Sequence, residues 1–267
     1  MMELLLLNAA ILIAIVLVLW LISVRINDVS FIDAFWGAGM GLLAVASWLH
    51  VPGGPGNLGT LIMAMTALWG FRLGIYLFLR WRKHGEDPRY QRILKKDREK
   101  GRFVWAALTK VWLGQAVLLF LVSSPAQVGI LAAGQGDAIP PLAWAGVALW
   151  GVGIFFEWVG DWQLSRFKAD PANEGRILDT GLWRYTRHPN YFGDACAWWG
   201  IWLVVAAVGW QWAAFTVAGP LFLTFTLTKW SGAALLEAGM KKKRGGPYAD
   251  YIARTSAFLP RPPRKTR

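Results

Sequence analysis

Long apolar stretches alternate with short polar connections along almost the whole chain. An apolar stretch of about 20 residues has the length that an α-helix needs to cross a bilayer. Seven stretches meet this criterion, at roughly residues 3–24, 30–49, 58–80, 103–124, 141–164, 193–209 and 212–231. The first lacks the basic start and the small-residue cleavage site of a signal peptide, so we expect it to be retained. The pattern predicts an all-α polytopic membrane protein with seven transmembrane helices.

Composition agrees with this class. The chain is 55% apolar, has a mean hydropathy of +0.38 and contains 18 tryptophans among its 267 residues. Soluble domains are about 45–50% apolar.

The distribution of basic residues predicts the orientation. Of the 28 lysines and arginines, ten lie in residues 80–102, five in 166–187 and nine in 241–267, whereas residues 50–57 and 125–140 contain none. Under the positive-inside rule the basic segments face the cytoplasm, which places the N-terminus outside and the C-terminus in the cytoplasm. Topology and attraction to anionic membrane lipids then explain the net charge of +12, an anionic cofactor on the cytoplasmic side is the alternative explanation, and no nucleic-acid partner is expected. We expect the inner (cell) membrane of a bacterium, while the sequence defines no oligomeric state.

Cysteine and histidine usage argues against a metal enzyme. Cys196 is the single cysteine, so neither an intrachain disulfide nor a thiolate cluster can form. His50, His84 and His188 are far apart in the chain and show no metal-ligand spacing. The glycine motifs GAGMG and GFRLG lie inside apolar stretches, which favours close helix packing over a phosphate-binding loop.

Ionisable groups within membrane spans are costly and are therefore functional candidates. Glu157 and Asp161 are four residues apart, so both carboxylates lie on one helical face, and Lys168 follows beyond the expected helix end. Structural ion pairs are the alternative explanation. Arg72 in the third span shares a helical face with Tyr76, and neutralising a carboxylate on a neighbouring span is an open role for it.

The segment RHPNYFGD, residues 187–194, concentrates hydrogen-bonding groups at the start of an apolar stretch. Pro189 suits the first turn of a helix, where its missing amide donor is not needed. Asn190 and Asp194 then share a face and can bind a polar group such as a carboxamide, while Arg187 and His188 can meet phosphates. A simple interfacial belt of aromatic and basic residues would need no particular order.

Three segments resemble the membrane sterol reductases, namely the steroid 5-alpha-reductase family and the sterol C14-reductases. They are RHPNYFGD, the preceding GDWQLSRFKADPANEGRILDTGLWRY and the later LLEAGMKKKRGGPYADYIARTSAFLP. The likeness is good over the C-terminal half and weak over residues 1–75. As a whole, the chain is most similar to bacterial proteins of the steroid 5-alpha-reductase type.

This resemblance implies a single membrane domain that holds NADPH in a cytoplasm-facing cavity. Residues 1–102 would form the substrate side and residues 103–267 the cofactor side. The implied reaction is reduction of the 4,5 double bond of a 3-oxo-4-ene steroid, or a similar lipophilic enone, that enters from the bilayer. The implied cofactor-binding residues are Arg80, Lys83, Glu157, Asp161, Arg166, Lys168, Arg176, Tyr185, Arg187, His188, Asn190, Asp194, Glu237, Tyr248 and Tyr251. Glu157 stands where the family has an asparagine.

The resemblance also implies a catalytic pair, a carboxylic acid in span two and a tyrosine in span three. Asp33 is the candidate acid. The tyrosine position falls on Trp69, and Tyr76 is the nearest phenol on that helix. An apolar setting keeps a carboxyl group neutral and able to donate to the ketone oxygen, so we expect Asp33 to act as a donor.

Two other functions fit parts of the sequence. Membrane methyltransferases of the isoprenylcysteine or phospholipid type, which use S-adenosylmethionine, share the Arg-His-Pro-x-Tyr-x-Gly core. They usually have adjacent acidic residues in the last helical region, whereas Glu237 stands alone between Leu236 and Ala238. A sterol-binding or scaffold protein without catalysis is the third possibility.

Overall fold

The computed structural model of the chain describes residues 1–136, 138–230 and 232–264, without the side chains of Leu235, Lys243 and Arg244. Ser231, the last residue of the seventh predicted span, and residues 265–267 of the basic tail lie outside the described residues. The described chain is helical, and its residues form no β-strand. The predicted all-α class is therefore confirmed.

The long helices follow the apolar pattern closely. In the described residues they are α1 (Met2–Ile26), α2 (Ile32–Leu49), α3 (Asn57–His84), α4 (Pro88–Glu99), α5 (Phe103–Ala106), α6 (Leu113–Val122), α7 (Ser124–Ala132), α8 (Pro141–Ala169), α9 (Pro189–Val208), α10 (Trp210–Thr216), α11 (Ala218–Phe225), α12 (Ala233–Arg244) and α13 (Gly246–Arg254). Two π-helical turns, Ala107–Trp112 and Thr226–Trp230, join α5 to α6 and follow α11.

Six helices in the described residues are long and apolar enough to cross a membrane. They are Met2–Ile26, Ile32–Leu49, Asn57–His84, Phe103–Val122, Pro141–Ala169 and Pro189–Val208. These correspond to the first six predicted spans and identify an integral membrane protein. The seventh predicted span is divided into α10, α11 and the second π-helical turn, with a break at Val217. The seventh span and the orientation of the termini stay predictions.

The chain forms two compact units that differ in their bounds from the predicted substrate and cofactor sides. Unit 1 consists of Met1–Ala143 and Val204–Gly219, and unit 2 consists of Trp144–Leu203 and Pro220–Arg267. The units are defined by packing between helices, whereas the predicted sides are defined by the ligand that each would bind. The predicted division after residue 102 therefore stays a prediction.

In unit 1, α2 and α3 pack against each other through glycines. A Cβ atom on Gly70 would lie 2.3 Å from the carbonyl oxygen of Gly37, and one on Gly74 would lie 2.9 Å from the carbonyl oxygen of Ala34. Small residues allow such close backbone approach between membrane helices. The expectation that GAGMG and GFRLG serve helix packing is confirmed.

We expect Gly70→Ala to destabilise the protein by about 1–3 kcal/mol, because the atom that its Cβ meets is backbone and one helix must shift. The measurement is the thermal unfolding midpoint in a neutral detergent. Gly114→Ala is the matched control in the same unit, since a Cβ there meets nothing within 4 Å. Equal midpoints for the two variants would contradict the packing described for α2 and α3.

A buried polar network joins three helices of unit 1. Asn8 of α1 donates from Nδ2 to Ser47 Oγ of α2 at 2.7 Å and to Gln127 Oε1 of α7 at 2.9 Å. Gln127 in turn donates from Nε2 to Ser123 Oγ at 2.9 Å. All four side chains are almost fully buried, so their hydrogen bonds replace those that water would supply.

Helix α4 shows why the basic segment after α3 is ordered. Asp87 caps its N-terminus by accepting from the backbone of Arg89, and Pro88 occupies the first turn. Tyr90, Leu94 and Asp97 form its buried face. Asp97 accepts a 2.5 Å hydrogen bond from Lys110 Nζ on the first π-helical turn, which gives that lysine of the fourth span a partner.

In unit 2, α8 and α9 approach each other through a row of glycines. A Cβ atom on Gly193 would lie 2.5 Å from the backbone nitrogen of Glu157 and from the carbonyl oxygen of Gly153. Gly160 contacts Pro189 in the same way, at 3.1 Å. This contact sets the first turns of α9 directly against the acidic face of α8.

Candidate cofactor site and acid–tyrosine cluster

The acidic face of α8 and the first turn of α9 form a buried polar cluster in unit 2. Asn190 donates from Nδ2 to Asp161 Oδ1 at 3.2 Å, and its own Oδ1 accepts from the backbone nitrogen of Tyr191 at 3.1 Å. Asp161 is 3% exposed and Glu157 is 1% exposed. The predicted face shared by Glu157 and Asp161 is thus present, and Asn190 is held in one orientation by a donor and an acceptor contact.

The other predicted cofactor residues differ in their exposure. Asp194 lies one turn after Asn190 on α9 and is half-buried. The predicted phosphate-binding residues of unit 2 that lie on the surface are Arg166, Lys168 and Arg176, and Tyr185 is also exposed. Arg80 and Lys83 are exposed on the last turns of α3 in unit 1.

Arg187 and His188 are buried and have partners within unit 2. Arg187 donates from Nε to Glu237 Oε1 at 2.8 Å, and His188 Nε2 lies 3.1 Å from the same oxygen. The His188 ring stacks on Tyr191, with the two ring planes inclined by 7°. These contacts show that both residues organise the start of α9, whereas their predicted contact with phosphate stays a prediction.

The pKa of Glu237 reflects these partners. Burial raises it, but hydrogen bonds from His188 and Arg187 and their positive charge outweigh burial and bring it to about 2, below the usual 4.5. A carboxylate whose pKa is lowered by folding stabilises the folded state at pH values above 4.5. This contribution is lost as the pH falls from 4.5 towards 2.

We therefore expect Glu237→Gln to lower stability by about 2 kcal/mol at pH 7, since the neutral amide leaves the Arg187 charge without its counterion. The difference from the wild type should shrink at pH 3, within the range in which the wild type loses this contribution. Thermal unfolding in detergent at the two pH values measures both effects. Glu174→Gln, on an exposed glutamate of the same unit, is the control. A difference that is independent of pH would exclude the ion pair as its cause.

The predicted tyrosines after Glu237 lie on α13. Tyr248 and Tyr251 are 4% and 3% exposed, and Tyr251 donates from its hydroxyl to the carbonyl oxygen of Trp183 at 2.5 Å. Burial, and then the charge of Glu237, raise the pKa of Tyr248 to about 12, so its phenol stays protonated at neutral pH. The hydrogen bond from Tyr251 to Trp183 fixes α13 against the segment that precedes RHPNYFGD.

A second polar cluster lies in unit 1 around Asp33, at the start of α2. Arg89 donates from Nη2 to Asp33 Oδ2 at 2.5 Å, and Tyr90 donates from its hydroxyl to Asp33 Oδ1 at 2.7 Å. Both carboxyl oxygens act as acceptors, in contrast to the donor role expected for Asp33. Burial and the neighbouring Asp33 raise the pKa of Tyr90 well above its usual 10, so the phenol keeps its proton.

Tyr76, the phenol expected to pair with Asp33, makes a different contact. The Arg72 guanidinium lies over the Tyr76 ring at 5.1 Å from its centroid. Trp69, which occupies the family's tyrosine position, is fully buried in unit 1. The structure thus brings together an acid and a tyrosine, but the tyrosine is Tyr90 of α4.

Tyr90 and Arg89 are residues that our sequence interpretation missed. The sequence interpretation explains the basic segment 80–102 by topology and by phosphate contacts of Arg80 and Lys83, and it overlooks the buried positions within the segment. A period of three to four residues in the buried positions Tyr90, Leu94 and Asp97 is the signal that predicts a helix with one packed face.

No group of three or more histidine, cysteine, aspartate or glutamate side chains among the described residues is arranged to hold a metal ion. The polar residues that do cluster are amide, carboxylate, phenol and guanidinium groups. They suit an organic ligand with hydrogen-bonding and anionic groups.

The fold and the two clusters define an all-helical integral membrane protein with buried polar groups where its membrane helices begin. The chain belongs to the family described as "protein of unknown function (DUF1295)", whose family model matches residues 19–255. It is 25% identical over 277 residues to an uncharacterized protein of Schizosaccharomyces pombe, covering 91% of this chain and 76% of that protein. It is 36% identical over 74 residues to the probable O-methyltransferase ustE of Ustilaginoidea virens, covering 28% of this chain and 26% of that protein. No solved structure matches the chain significantly.

Proposed function

We propose that this protein is a membrane oxidoreductase that uses NADPH to reduce a carbon–carbon double bond conjugated to a ketone in a lipophilic substrate. The 4,5 double bond of a 3-oxo-4-ene steroid is the model substrate. The observation that supports this most is the Asp161–Asn190 pair, because it puts a buried carboxylate and an oriented amide at the RHPNYFGD segment. That segment resembles the cofactor signature of the steroid 5-alpha-reductases.

The residues of unit 2 fit a dinucleotide by their chemistry. Asn190 and Asp161 offer donor and acceptor groups for an amide or a ribose, and the exposed Arg166, Lys168 and Arg176 offer cations for phosphates. NADPH would supply a hydride to the β carbon of the enone, becoming NADP⁺, while a proton from water completes the α carbon. NADPH carries a 2′-phosphate that NADH lacks, and the abundant basic side chains could bind it. This favours NADPH over NADH.

In unit 1, the Asp33–Tyr90 pair suits the ketone oxygen. As negative charge develops on that oxygen, the Tyr90 hydroxyl can turn from Asp33 and donate to it, while Arg89 remains paired with Asp33. A donor already oriented towards a developing oxyanion lowers the activation free energy by about 3 kcal/mol. Asp33 then acts as a positioning residue for the phenol.

The proposed topology has seven spans, an external N-terminus and a cytoplasmic C-terminus, in a bacterial inner membrane. The basic segments and the cofactor residues would then face the cytoplasm, where NADPH is available, and the substrate would enter from the bilayer. The orientation follows from the positive-inside rule applied to the segments that contain 24 of the 28 basic residues.

The test is the identity of the bound cofactor in protein purified in a mild detergent. We expect NADPH to quench tryptophan fluorescence saturably, and we expect a 4-ene-3-oxosteroid to cause NADPH oxidation with formation of the saturated ketone. Absence of nicotinamide binding under conditions in which the protein remains folded would refute the proposal.

One observation supports a second candidate, a methyltransferase that uses S-adenosylmethionine. It is the 36% identity over 74 residues to a probable O-methyltransferase. The same purified protein decides between the two, because S-adenosylmethionine binding without NADPH binding would favour this second function.

A further inference from the structure

A cavity with a strongly basic lining lies at the C-terminal end of unit 2. Its volume is about 320 Å³, and it is lined by Arg187 and by residues between Ile252 and Arg264. Four of its ten lining residues are arginines, namely Arg187, Arg254, Arg261 and Arg264, and none is acidic. We call it the C-terminal arginine cavity.

Hydrogen bonds of the backbone hold the wall of this cavity in place. After α13 the chain returns towards its own helix end, and Arg264 donates from its backbone nitrogen to the carbonyl oxygen of Arg254 at 2.9 Å. Arg261 donates in the same way to Tyr185 at 3.0 Å. Thr186 donates from its hydroxyl to the carbonyl oxygen of Phe258 at 2.8 Å. The wall is therefore formed before any ligand binds.

The charges at the cavity are only half compensated. Glu237 pairs with Arg187, and Asp179 pairs with Arg254. Arg261 and Arg264 are exposed, and within the described part of the chain neither has a carboxylate partner. Four guanidinium groups thus face two carboxylates, and the excess positive charge lies at the cavity.

Arg187 brings unused hydrogen-bond donors to the cavity. Its side chain is 8% exposed. Nε donates to Glu237, and Nη1 donates to the carbonyl oxygens of Thr255 at 2.5 Å and Ile252 at 3.3 Å. Among the described residues, Nη2 has no acceptor. A guanidinium has five N–H donors, and Nη2 is not among the buried atoms that lack a partner, so its N–H groups are accessible to a ligand at the cavity.

We propose that the C-terminal arginine cavity binds a phosphate group of a molecule other than the nicotinamide cofactor. Guanidinium groups bind phosphate oxygens with two parallel hydrogen bonds, and several of them together select an anion with several acceptor oxygens. The volume lies at the lower end of the range of about 300–1,000 Å³ for small-molecule sites, which suits a phosphate ester. The phosphate comes either from an anionic lipid headgroup or from a soluble phosphate, and this inference goes beyond the proposed reductase.

The test compares Arg261→Gln/Arg264→Gln with Lys241→Gln/Lys242→Gln. Both double variants remove two exposed positive charges from unit 2, but the lysines do not line the cavity. In one arm, inorganic phosphate and glycerol phosphate are titrated calorimetrically into protein in a neutral detergent. In the other arm, native mass spectrometry counts lipids retained from nanodiscs of phosphatidylcholine with and without phosphatidylglycerol.

We expect the arginine variant to lose at least about tenfold in affinity in one of the two arms, and the lysine variant to bind like the wild type. Loss in the titration identifies a soluble phosphate, and loss of retained phosphatidylglycerol alone identifies a lipid headgroup. Equal behaviour of the two double variants in both arms overturns the proposal. NADPH affinity should be unchanged in both, and a selective loss in the arginine variant would also overturn it by assigning the cavity to the cofactor.

Discussion

Tyr90→Phe should lower the turnover of an enone substrate by about 100- to 1,000-fold while NADPH affinity stays unchanged, as expected for removal of one hydrogen-bond donor to a developing oxyanion. Tyr90 is the phenol that the structure places on Asp33, at 2.7 Å, and its raised pKa keeps the donor proton in place at neutral pH. Fold integrity should be retained, because Arg89 still pairs with Asp33 in the variant.

Tyr76→Phe is the matched control for this prediction. It removes the phenol that the sequence alone favoured, and we expect turnover like that of the wild type. The rate of NADPH oxidation at saturating substrate, together with NADPH affinity from fluorescence, separates chemistry from binding. Asp33→Asn should lower turnover as well, since the amide offers Arg89 a weaker partner and positions Tyr90 less well. If Tyr76→Phe loses turnover and Tyr90→Phe keeps it, the role belongs to Tyr76.

Asn190→Ala should weaken NADPH binding by about 10- to 100-fold, the range expected for loss of hydrogen bonds in a buried polar site. The Asn190 side chain is oriented by Asp161 and by the backbone of Tyr191, so it is ready to bind before the cofactor arrives. Asp194→Ala should have an effect in the same direction, because Asp194 follows one turn later on the same face of α9.

The control for these variants is Gln211→Ala, which removes an exposed amide on α10 in unit 1. Circular dichroism and thermal unfolding should show that all three variants are folded. Wild-type NADPH affinity in both Asn190→Ala and Asp194→Ala would place the cofactor elsewhere. A loss of S-adenosylmethionine binding in the same variants, with no NADPH binding in the wild type, would transfer the site to a methyltransferase.

The membrane class and the role of the glycine motifs in helix packing could be predicted from the sequence for local reasons. Span length depends only on how many apolar residues follow one another, and the six spans agree with the helices within a few residues. Glycines within apolar spans also indicate close helix packing, and Gly37 and Gly70 do meet at the α2–α3 contact. The break within the seventh predicted span could not be predicted, because the turn at Val217 interrupts an apolar stretch without a change in composition.

The polar clusters could be predicted only in part. The shared face of Glu157 and Asp161 follows from their spacing on one helix, and the helix start at Pro189 follows from proline's missing donor. The partner of Arg187 did not follow, since Glu237 lies 50 residues further along the chain. Sequence reasoning assigned both residues to a ligand; the structure pairs them with each other, and their contact with a ligand stays a prediction.

By itself, the sequence determined an all-helical membrane protein with acidic and amide groups where an apolar helix begins, because hydrophobic length, helical spacing and proline geometry are local properties. Only the tertiary structure decided that Tyr90 is the tyrosine beside Asp33, and that four arginines share one cavity. Those pairings join helices and loops that are distant along the chain, and no local pattern encodes which side chains meet when such segments pack.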